Sequence, residues 1–506
     1  MVDKILIWID ELLWYFGIAK YIKDNHDCEI SAIYDVNKNL KDIFKNQNFV
    51  KIEKQWFFWD YIKKLDKPDL DYLMRMEKKY NLNLWLMMYN DRLFYKFNDL
   101  YKFTDNEMLS ICEKECKLYE TILDETKPDF LVINNTYSRR THLLKLMCDS
   151  RNIQVLMLHR NRIGYRSTIS KTYDKNTDLP NFQYEDGKST TDFDLENFRK
   201  KYVDFKHKEK NVVSANAPIL NKIKTILGWI REPITEEYKD AYTHFGISKF
   251  NVIKIQLSSH LKNYFRKKFI DKNLLREIPD DQKFLYFPLH RQPERSISID
   301  SPFFNNQLDI ITNLAKSLPV DYLVYVKEHP DQYIYNWRPN SFYNQIMNLP
   351  NVKLFHPSVA TSKLFKKCSI VATITGTAGL ESAFYGKPSL VFTDTIYSHL
   401  PHVSRIKNIE ELPYAIEESL NKKINSESVK QLLNYFQEIS FDVNIVDLQN
   451  ELNNKFRQGS VSTRRNISLD ELEKFFIERK DVYNEIALQH IEKINQHKNI
   501  KFKNKN

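Results

Sequence analysis

Short apolar runs alternate with helical segments in two separate stretches of this 506-residue chain. In the first stretch, an apolar run at 4–9 is followed by a helical pattern at 12–22 and a second apolar run at 28–36. The same rhythm returns over 128–159, with a helix at 138–151. Strands that alternate with helices predict a parallel sheet with right-handed crossovers, and therefore an α/β fold.

The second stretch has five apolar runs separated by helical segments. The predicted strands are 283–289, 321–330, 352–355, 369–376 and 388–392, and the predicted helices include 305–317, 360–367 and one that begins near Ala378. Two α/β domains in series, with ligand sites at the carboxyl ends of the strands, predict two Rossmann-like halves that face a cleft.

The chain is too long for one ordinary core, because a typical domain has about 100–200 residues. Four regions are expected: an N-terminal Rossmann-like acceptor domain (1–185), a Lys-rich helical insertion or connector (186–280), a C-terminal Rossmann-like donor domain (281–424), and a helical tail (425–506) that becomes basic towards its end. Within the first domain, 55–125 is expected to be mostly helical.

Composition limits the possible partners. The net charge of +10, from 76 basic and 66 acidic residues, permits attraction to nucleotide phosphates or to an anionic membrane surface. No nucleic-acid-binding module is recognisable, so a nucleic-acid partner is not expected. The five cysteines are few and odd in number, which argues against a disulfide framework. Without a signal-peptide pattern or a run of about 20 apolar residues, we expect a cytoplasmic protein.

The segment from Thr373 to Pro388 is the most informative part of the sequence, since it holds three of the nine glycines. A strand ends at Ile374 and a helix begins near Ala378, so backbone N–H groups at the helix start could bind an anion, and glycines would allow close approach of a ligand. A helix cap with tight strand–helix packing is the alternative. The candidate donor-binding residues of this segment are Thr375, Gly376, Thr377, Gly379 and Glu381.

Two further loops follow strands of the same predicted sheet. Lys327, His329 and Pro330 close the strand 321–330, where a histidine can donate a hydrogen bond to a phosphate oxygen. A purely structural role for this histidine is the alternative.

The loop 287–296 crowds five polar residues after the first strand, which is typical of a binding loop, although a solvated charged loop would have the same composition. His290 is a candidate catalytic residue there, and the others are Arg291, Gln292, Glu294 and Arg295, of which Arg291 and Glu294 are assigned to donor binding. Loops at one edge of a parallel sheet converge, and these groups suit a nucleotide monophosphate or diphosphate. Neither a Walker A pattern nor G-x-G-x-x-G is present, which disfavours ATPase and dehydrogenase functions.

The signals in the first domain are weaker. Asp10 and Glu11 follow the first strand, where a carboxylate could act as general base on an acceptor hydroxyl. A helix N-cap formed by Asp10 explains the same residue equally well. Polar residues after the strands at 130–133 and 153–158 are candidates for positioning an acceptor: Asn134, Asn135, His159, Arg160 and Arg162.

Four segments together resemble a known family: FPLHRQPERS, VYVKEHP, NVKLFHP and TITGTAGLESAFYGKPSLVF, in this order over 283–400. They are similar to the bacterial capsule and surface-polysaccharide synthesis family, which has the GT-B glycosyltransferase architecture and includes β-Kdo transferases. By this resemblance, His329 and Pro330 would contact the donor phosphate, with Thr375, Gly376 and Thr377 beside it. Glu381 would bind the ribose.

The resemblance implies transfer of a sugar from a nucleotide-activated donor, such as a CMP-activated acidic sugar, to a growing polysaccharide or glycolipid. The reaction would take place at the inner face of the cell membrane, with the enzyme peripherally bound. No metal or resident cofactor is expected, because the nucleotide sugar is itself a co-substrate. Asp10 is the first choice for the general base.

Other functions remain open on the sequence alone. A teichoic-acid-type polyol-phosphate polymerase also uses a His-Pro pair, and a nucleotide-sugar 2-epimerase shares the double domain. A non-enzymatic protein that binds nucleotides or carbohydrates is possible on the same fold. The basic tail and the helical middle region would also suit a scaffold at a membrane surface.

Overall fold

The computed structural model describes residues 2–96, 98–161, 164–172, 241–422, 424, 426–457 and 467–503. These residues form two compact units. The first contains the described residues up to 172 together with 241–247 and 436–503, and the second contains 248–435. The predicted insertion at 186–280 therefore lies outside the described residues up to 240.

The first unit is built on a six-stranded sheet with the order β3-β2-β1-β4-β5-β6. Five strands are parallel, and β6 runs antiparallel to β5. The predicted strands at 4–9, 28–36, 130–133 and 153–158 are confirmed, whereas β3 and β6 were not predicted. The strands are β1 (Asp3–Asp10), β2 (Cys28–Asp35), β3 (Lys54–Phe57), β4 (Phe130–Ile133), β5 (Gln154–Arg160) and β6 (Ser167–Ser170).

Among the described residues of the first unit, seven α-helices precede the second unit in the chain. Polar side chains fix several helix starts: Thr104 forms a capping box with Glu107, and Asn37 and Ser138 each accept a backbone N–H. The expectation that 55–125 is mostly helical is confirmed. The helices are α1 (Trp14–Asn25), α2 (Lys38–Asn46), α3 (Phe58–Tyr61), α4 (Leu70–Tyr80), α5 (Leu84–Tyr89), α6 (Asp105–Thr126) and α7 (Arg139–Ser150).

The second unit has its own six-stranded sheet, in which all neighbouring strands are parallel. Its order, β12-β11-β10-β7-β8-β9, is that of a Rossmann fold. The α/β class with two Rossmann-like sheets is thereby confirmed. The strands are β7 (Lys283–Pro288), β8 (Tyr322–Lys327), β9 (Val352–Phe355), β10 (Ile370–Thr373), β11 (Ser389–Val391) and β12 (Val403–Arg405).

Helices precede, connect and follow these strands, and the predicted helices at 305–317 and 360–367 are confirmed within two residues. The helices are α8 (Lys249–Asn273), α9 (Gln307–Ser317), α10 (Asn340–Met347), α11 (Thr361–Lys367), α12 (Ala378–Ala383), α13 (Leu412–Asn421) and α14 (Ser426–Glu438).

The chain then returns to the first unit through three more helices, α15 (Ile445–Leu452), α16 (Leu469–Glu478) and α17 (Lys480–Lys503). The predicted tail is therefore helical, but it shares a core with β1 and α1. A Cβ atom on Gly17 of α1 would come within 2.5 Å of the Phe476 ring and 2.9 Å of the Tyr483 ring. A glycine at this position lets the last helices pack directly against α1.

Candidate functional site

Polar loops gather at the carboxyl edge of the second sheet, where the strand order reverses. β7 lies between β8 and β10, so the connections after β7 and β10 leave in opposite directions from neighbouring strands. In open α/β sheets such a switch point is where ligands bind. The three sequence segments singled out above all follow β7, β8 or β10.

His290 connects the ends of β7 and β10. Its Nε2 atom accepts a hydrogen bond from the backbone N–H of Ile374 at 3.2 Å and lies 3.1 Å from the Thr373 hydroxyl. Because a backbone N–H can only donate, Nε2 carries the lone pair and Nδ1 carries the proton of the neutral ring. Nδ1 lies 3.5 Å from a Glu294 carboxylate oxygen. His290 therefore links the loops after β7 and β10, and its catalytic role stays a prediction.

A buried ion pair holds the loops after β7 and β8. Arg338 donates to Glu328 at 2.8 Å, to the side chain of Gln292 at 2.8 Å, and to the backbone carbonyl of His290 at 2.5 Å. Glu328 is fully buried and also accepts the Tyr343 hydroxyl at 2.8 Å. A buried charge needs such pairing to be tolerated. Arg338 was missed by the sequence analysis, because it lies outside the three segments, ten positions after Glu328 and 46 after Gln292.

His329 lies in a tight turn, in which its carbonyl accepts the N–H of Gln332 and Pro330 occupies the second position. Its Nδ1 accepts the N–H of Asp331 at 3.1 Å, so the neutral ring carries its proton on Nε2. Burial lowers the pKa of His329 below its ordinary value, although the nearby carboxylates of Asp331 and Glu294 oppose the shift. At neutral pH the ring is therefore a neutral hydrogen-bond donor.

The other predicted residues of these loops have separate partners. Lys327 is buried and donates to the hydroxyl of Thr361, the first residue of α11, at 2.7 Å. The guanidinium of Arg291 lies 5.0 Å from the Tyr335 ring centre, and Arg295 pairs with Asp300 at 2.7 Å. Arg291 is close enough to His329 to contribute to the lowering of its pKa.

The glycine segment packs tightly. A Cβ atom on Gly379 would approach the Tyr397 hydroxyl to 2.6 Å, and one on Gly376 would approach the Thr373 hydroxyl to 2.7 Å. Gly386 has a φ of +67°, which an L side chain rarely adopts. The packing alternative thus accounts for all three glycines without a ligand.

The polar residues of this segment stand around α12, which has only six residues and so has a weak dipole. Thr375 is buried, and the Thr377 hydroxyl donates to Glu381 at 2.7 Å. The Glu381 carboxylate, together with the larger effect of burial, raises the pKa of Tyr286 on β7. Glu381 therefore lies near Tyr286, in the carboxyl half of β7.

The first unit contains a cavity of about 850 Å³ at the carboxyl edge of its own sheet. All its lining residues come from that unit. Every candidate that the sequence placed in the first domain, apart from Arg162, lines it: Asp10, Glu11, Asn134, Asn135, His159 and Arg160. Arg162 lies outside the described residues. The structure thus brings together residues from β1, β4 and β5 that are up to 150 positions apart in the chain.

Asp10 does not cap a helix, because α1 begins after Leu13. Its carboxylate accepts the N–H of Leu12 at 2.9 Å, and the Tyr137 hydroxyl lies at 3.4 Å. The N-cap alternative is therefore wrong, and Asp10 closes the turn between β1 and α1. Glu11 accepts from the Asn37 side chain at 3.2 Å.

An ion pair in the same cavity was missed by the sequence analysis. Arg140 donates to Asp35, the last residue of β2, at 2.9 Å, and the Trp59 indole donates to the same oxygen at 2.9 Å. Burial raises the pKa of Asp35, while Arg140 and Trp59 oppose the shift. Asp35 ends an apolar strand just as Asp10 does, and this parallel could have identified it.

The acceptor-side candidates differ in exposure. His159 is buried, and its Nε2 lies 2.7 Å from the Ser170 hydroxyl on the neighbouring β6. Asn134 is buried and Arg160 is partly exposed. Within the described ranges, no three His, Cys, Asp or Glu side chains are grouped so that they could hold a metal ion. No described helix is long and apolar enough to cross a membrane.

Two Rossmann-like sheets, each with polar side chains at its carboxyl edge, define an α/β protein with two doubly wound sheets. Residues 228–437 match the family described as "Capsule polysaccharide biosynthesis protein". This range contains the whole second sheet and all the candidate residues of the second unit. The resemblance that the four segments indicated is confirmed. No curated protein matches the chain.

Several solved structures are similar at low identity. The UDP-GlcNAc 2-epimerase of Methanocaldococcus jannaschii, in complex with UDP-GlcNAc and UDP, is 13% identical over 86% of this chain and 99% of its own, with a TM-score of 0.25. The KpsC β-Kdo 2,7 transferase of Thermosulfurimonas dismutans is 12% identical over 67% and 89%, with a TM-score of 0.30. Similarity at this level does not extend to substrate or activity.

Proposed function

We propose that this protein is a glycosyltransferase that moves a sugar from a nucleotide-activated donor to a surface polysaccharide or glycolipid. One observation carries the proposal. The range that matches the capsule polysaccharide family contains the complete Rossmann-like sheet, and its polar loops are locked together at the switch point of that sheet. The donor site is assigned to this point.

In the proposed site, the Nε2–H of His329 donates to a donor phosphate oxygen, and Arg291 supplies positive charge beside it. As the glycosidic bond breaks, these groups stabilise the negative charge of the leaving nucleotide. Glu381 binds the ribose, with the Thr377 hydroxyl fixing the orientation of its carboxylate. His290 and Arg338 keep the loops in register without touching the substrate. No metal ion takes part.

The acceptor is assigned to the cavity of the first unit, where Asp10 removes the proton from the attacking hydroxyl. The cavity volume of about 850 Å³ is large enough for sugar residues. Asn134 and Arg160 offer hydrogen bonds to sugar hydroxyls. Arg140 and Asp35 form a rigid wall, since each is the other's ion-pair partner.

The first test is a thermal-shift series with CMP, UDP, GDP, TDP and CDP. A ligand that binds only the folded state raises the melting temperature by mass action. We expect one nucleotide to stabilise the wild type and to lose this effect in His329→Ala. His356→Ala is the matched control, because His356 also precedes a proline after a strand of the same sheet, but at the edge strand β9.

The second test measures turnover. With the donor identified by the first test, nucleotide release should require an acceptor glycan and should fall in Asp10→Asn. Conversion of the donor to an epimer without any acceptor would overturn the transferase assignment. Nucleotide stabilisation that is equal in wild type and His329→Ala would overturn the donor site.

A further inference from the structure

Helix α8 exposes an apolar stripe along its first four turns. Its residues recur every three or four positions, with the adjacent Tyr264 and Phe265 both one turn after Leu261, and they therefore share one face of the helix. Four of the side chains are between 61% and 75% exposed. The stripe consists of Phe250, Ile253, Leu257, Leu261, Tyr264 and Phe265.

The same helix is strongly basic. It contains seven lysines and arginines, and Asp271 is its one acidic residue, a net charge of +6. Three of the cations, Lys254, Lys262 and Arg266, border a groove of about 780 Å³ whose apolar wall is part of the stripe. The opposite wall is formed by 339–341 at the start of α10. Positive charge thus surrounds apolar surface.

The opposite face of α8 is attached to the second unit. Arg266 donates to the Trp337 carbonyl at 2.6 Å, the side chain of Asn263 accepts the Trp337 N–H at 2.9 Å, and Ile270 is buried in the core. These contacts fix the orientation of the helix and leave the stripe exposed.

The last helix of the chain provides a comparison. The α17 helix is also long and basic, but it buries Tyr483, Ile486 and Ile494 against the first unit. Its apolar face is therefore already covered, whereas that of α8 is exposed among the described residues. Of the two regions that the sequence suggested for membrane contact, the structure favours the one that contains α8.

We propose that α8 (Lys249–Asn273) binds the surface of a membrane that contains anionic lipids, with its apolar stripe inserted at the headgroup level. A helix that presents exposed apolar side chains beside lysines binds in this way, through apolar burial and attraction to anionic headgroups. Clusters of about four to eight lysines and arginines are typical of such surfaces. The proposal does not depend on the identity of the transferred sugar.

The test is flotation of the full chain with phosphatidylcholine vesicles, with and without phosphatidylglycerol. We expect the wild type to float only with the anionic vesicles. Leu257→Gln/Leu261→Gln should reduce partitioning by about tenfold or more per leucine, the effect of exposing a buried leucine. Lys254→Gln/Lys262→Gln should reduce it by roughly fivefold per lysine at low salt, and much less at high salt.

Val320→Gln/Tyr414→Gln is the matched control, because it removes two apolar side chains of the same unit that are at least as exposed. It should float like the wild type. All these positions are at the surface, and unchanged circular dichroism would show that the variants fold. Absence of flotation of the wild type, or equal flotation of all variants, would overturn the proposal. A dimer in the wild type that becomes a monomer in Leu257→Gln/Leu261→Gln, without vesicle binding, would show that a second copy covers the stripe instead.

Discussion

Each unit buries one arginine against one glutamate, and the two pairs hold different parts of the molecule. In the first unit, Arg139 pairs with Glu115 of α6 and also contacts Asp91 at 3.1 Å and the Tyr242 hydroxyl at 3.4 Å. Glu115 lies on a helix, Asp91 in the loop after α5 and Tyr242 on a returning segment, and none of the three lines the cavity. In the second unit, Arg338 holds the binding loops themselves.

In the first unit, the buried pair would stabilise the fold without holding the proposed ligand site. In the second unit, the corresponding pair would do both. The Arg139 pair acts on its cavity indirectly, through the next residue, Arg140, which reaches Asp35, and through Tyr242, whose ring packs against Trp59 of the cavity lining. The Arg338 pair contacts the carbonyl of His290 directly, so a loss of the pair releases the loop after β7. A ligand site built on such a network depends on interactions that also hold the fold together.

The largest expected effect comes from Glu328→Gln, which leaves the buried Arg338 without its carboxylate. We expect a loss of about 3–5 kcal/mol in the free energy of unfolding, as for other broken buried pairs, together with loss of nucleotide binding. Glu115→Gln is the matched control and should destabilise by a similar amount while nucleotide binding persists. Urea unfolding and nucleotide titration measure the two effects. Equal loss of nucleotide binding in both variants would show that the Arg338 pair has no special role in holding the nucleotide site.

The next effect is acid sensitivity, to which one fully buried histidine of each unit contributes, in addition to His329 of the second unit. Burial lowers the pKa of His490 in the first unit and that of His402 in the second to about 4. The unfolded chain, with a histidine pKa of about 6.5, takes up these protons first as the pH falls. The free energy of unfolding should therefore decrease between about pH 6.5 and pH 4, by up to about 3 kcal/mol per histidine.

His402 is the sharper case, because neither ring nitrogen has a hydrogen-bond partner. His402→Leu should reduce the pH dependence of the free energy of unfolding of the second unit, and His490→Leu should reduce that of the first. Urea unfolding at several pH values measures both effects. A curve that keeps its full slope in the double variant would show that other groups control the acid sensitivity.

A smaller loss of stability is expected when alanine replaces a glycine that packs against an aromatic side chain, and each unit has such a glycine. Gly17→Ala would press on Phe476 and Tyr483, and Gly379→Ala on Tyr397. Although alanine is normally the better helix former, we expect each variant to lose about 1–3 kcal/mol through overpacking. Only Gly379→Ala should also weaken nucleotide binding, because Tyr397 donates to the Gly376 carbonyl. An increase in melting temperature in either variant would contradict the close packing.

The smallest effect should follow removal of one hydroxyl or one cap. Thr377→Val removes the donor to Glu381 and should cost about 1 kcal/mol of nucleotide affinity. Asn37→Ala removes the cap of α2 in the first unit and should cost about 1 kcal/mol of stability without changing nucleotide affinity. Calorimetric titration and thermal unfolding distinguish these outcomes. Unchanged affinity in Thr377→Val would separate Glu381 from the donor site.

Much of the fold could be predicted, because apolar periodicity reports on local structure. The strand at 352–355 and the helix at 361–367 fall within one residue of their predicted bounds. The strands β3, β6 and β12 were missed, since they are short and lie at or near the sheet edges, where the apolar pattern is weakest. The return of 436–503 to the first unit was also missed, because no local pattern indicates which core a helix joins.

The sequence predicted where the candidate site residues lie, but it did not predict which residues they contact. Loops after parallel strands converge by geometry, so Asp10, His159 and His290 could be located. Their partners could not, since Arg338, Arg140 and Tyr397 contact residues distant in sequence. The division of the chain at 185, 280 and 424 stays a prediction, as do the roles of the site residues.

The return of 436–503 to the first unit also has a consequence for biosynthesis. On the ribosome, residues 248–435 emerge as a complete unit while the first unit still lacks α15, α16 and α17. Domains usually fold from the N-terminus onwards as they are synthesised, but here the unit that begins first is completed last. Until then the apolar face of α1 around Gly17 has no cover, and the nascent chain presents a surface for chaperones throughout translation of the second unit.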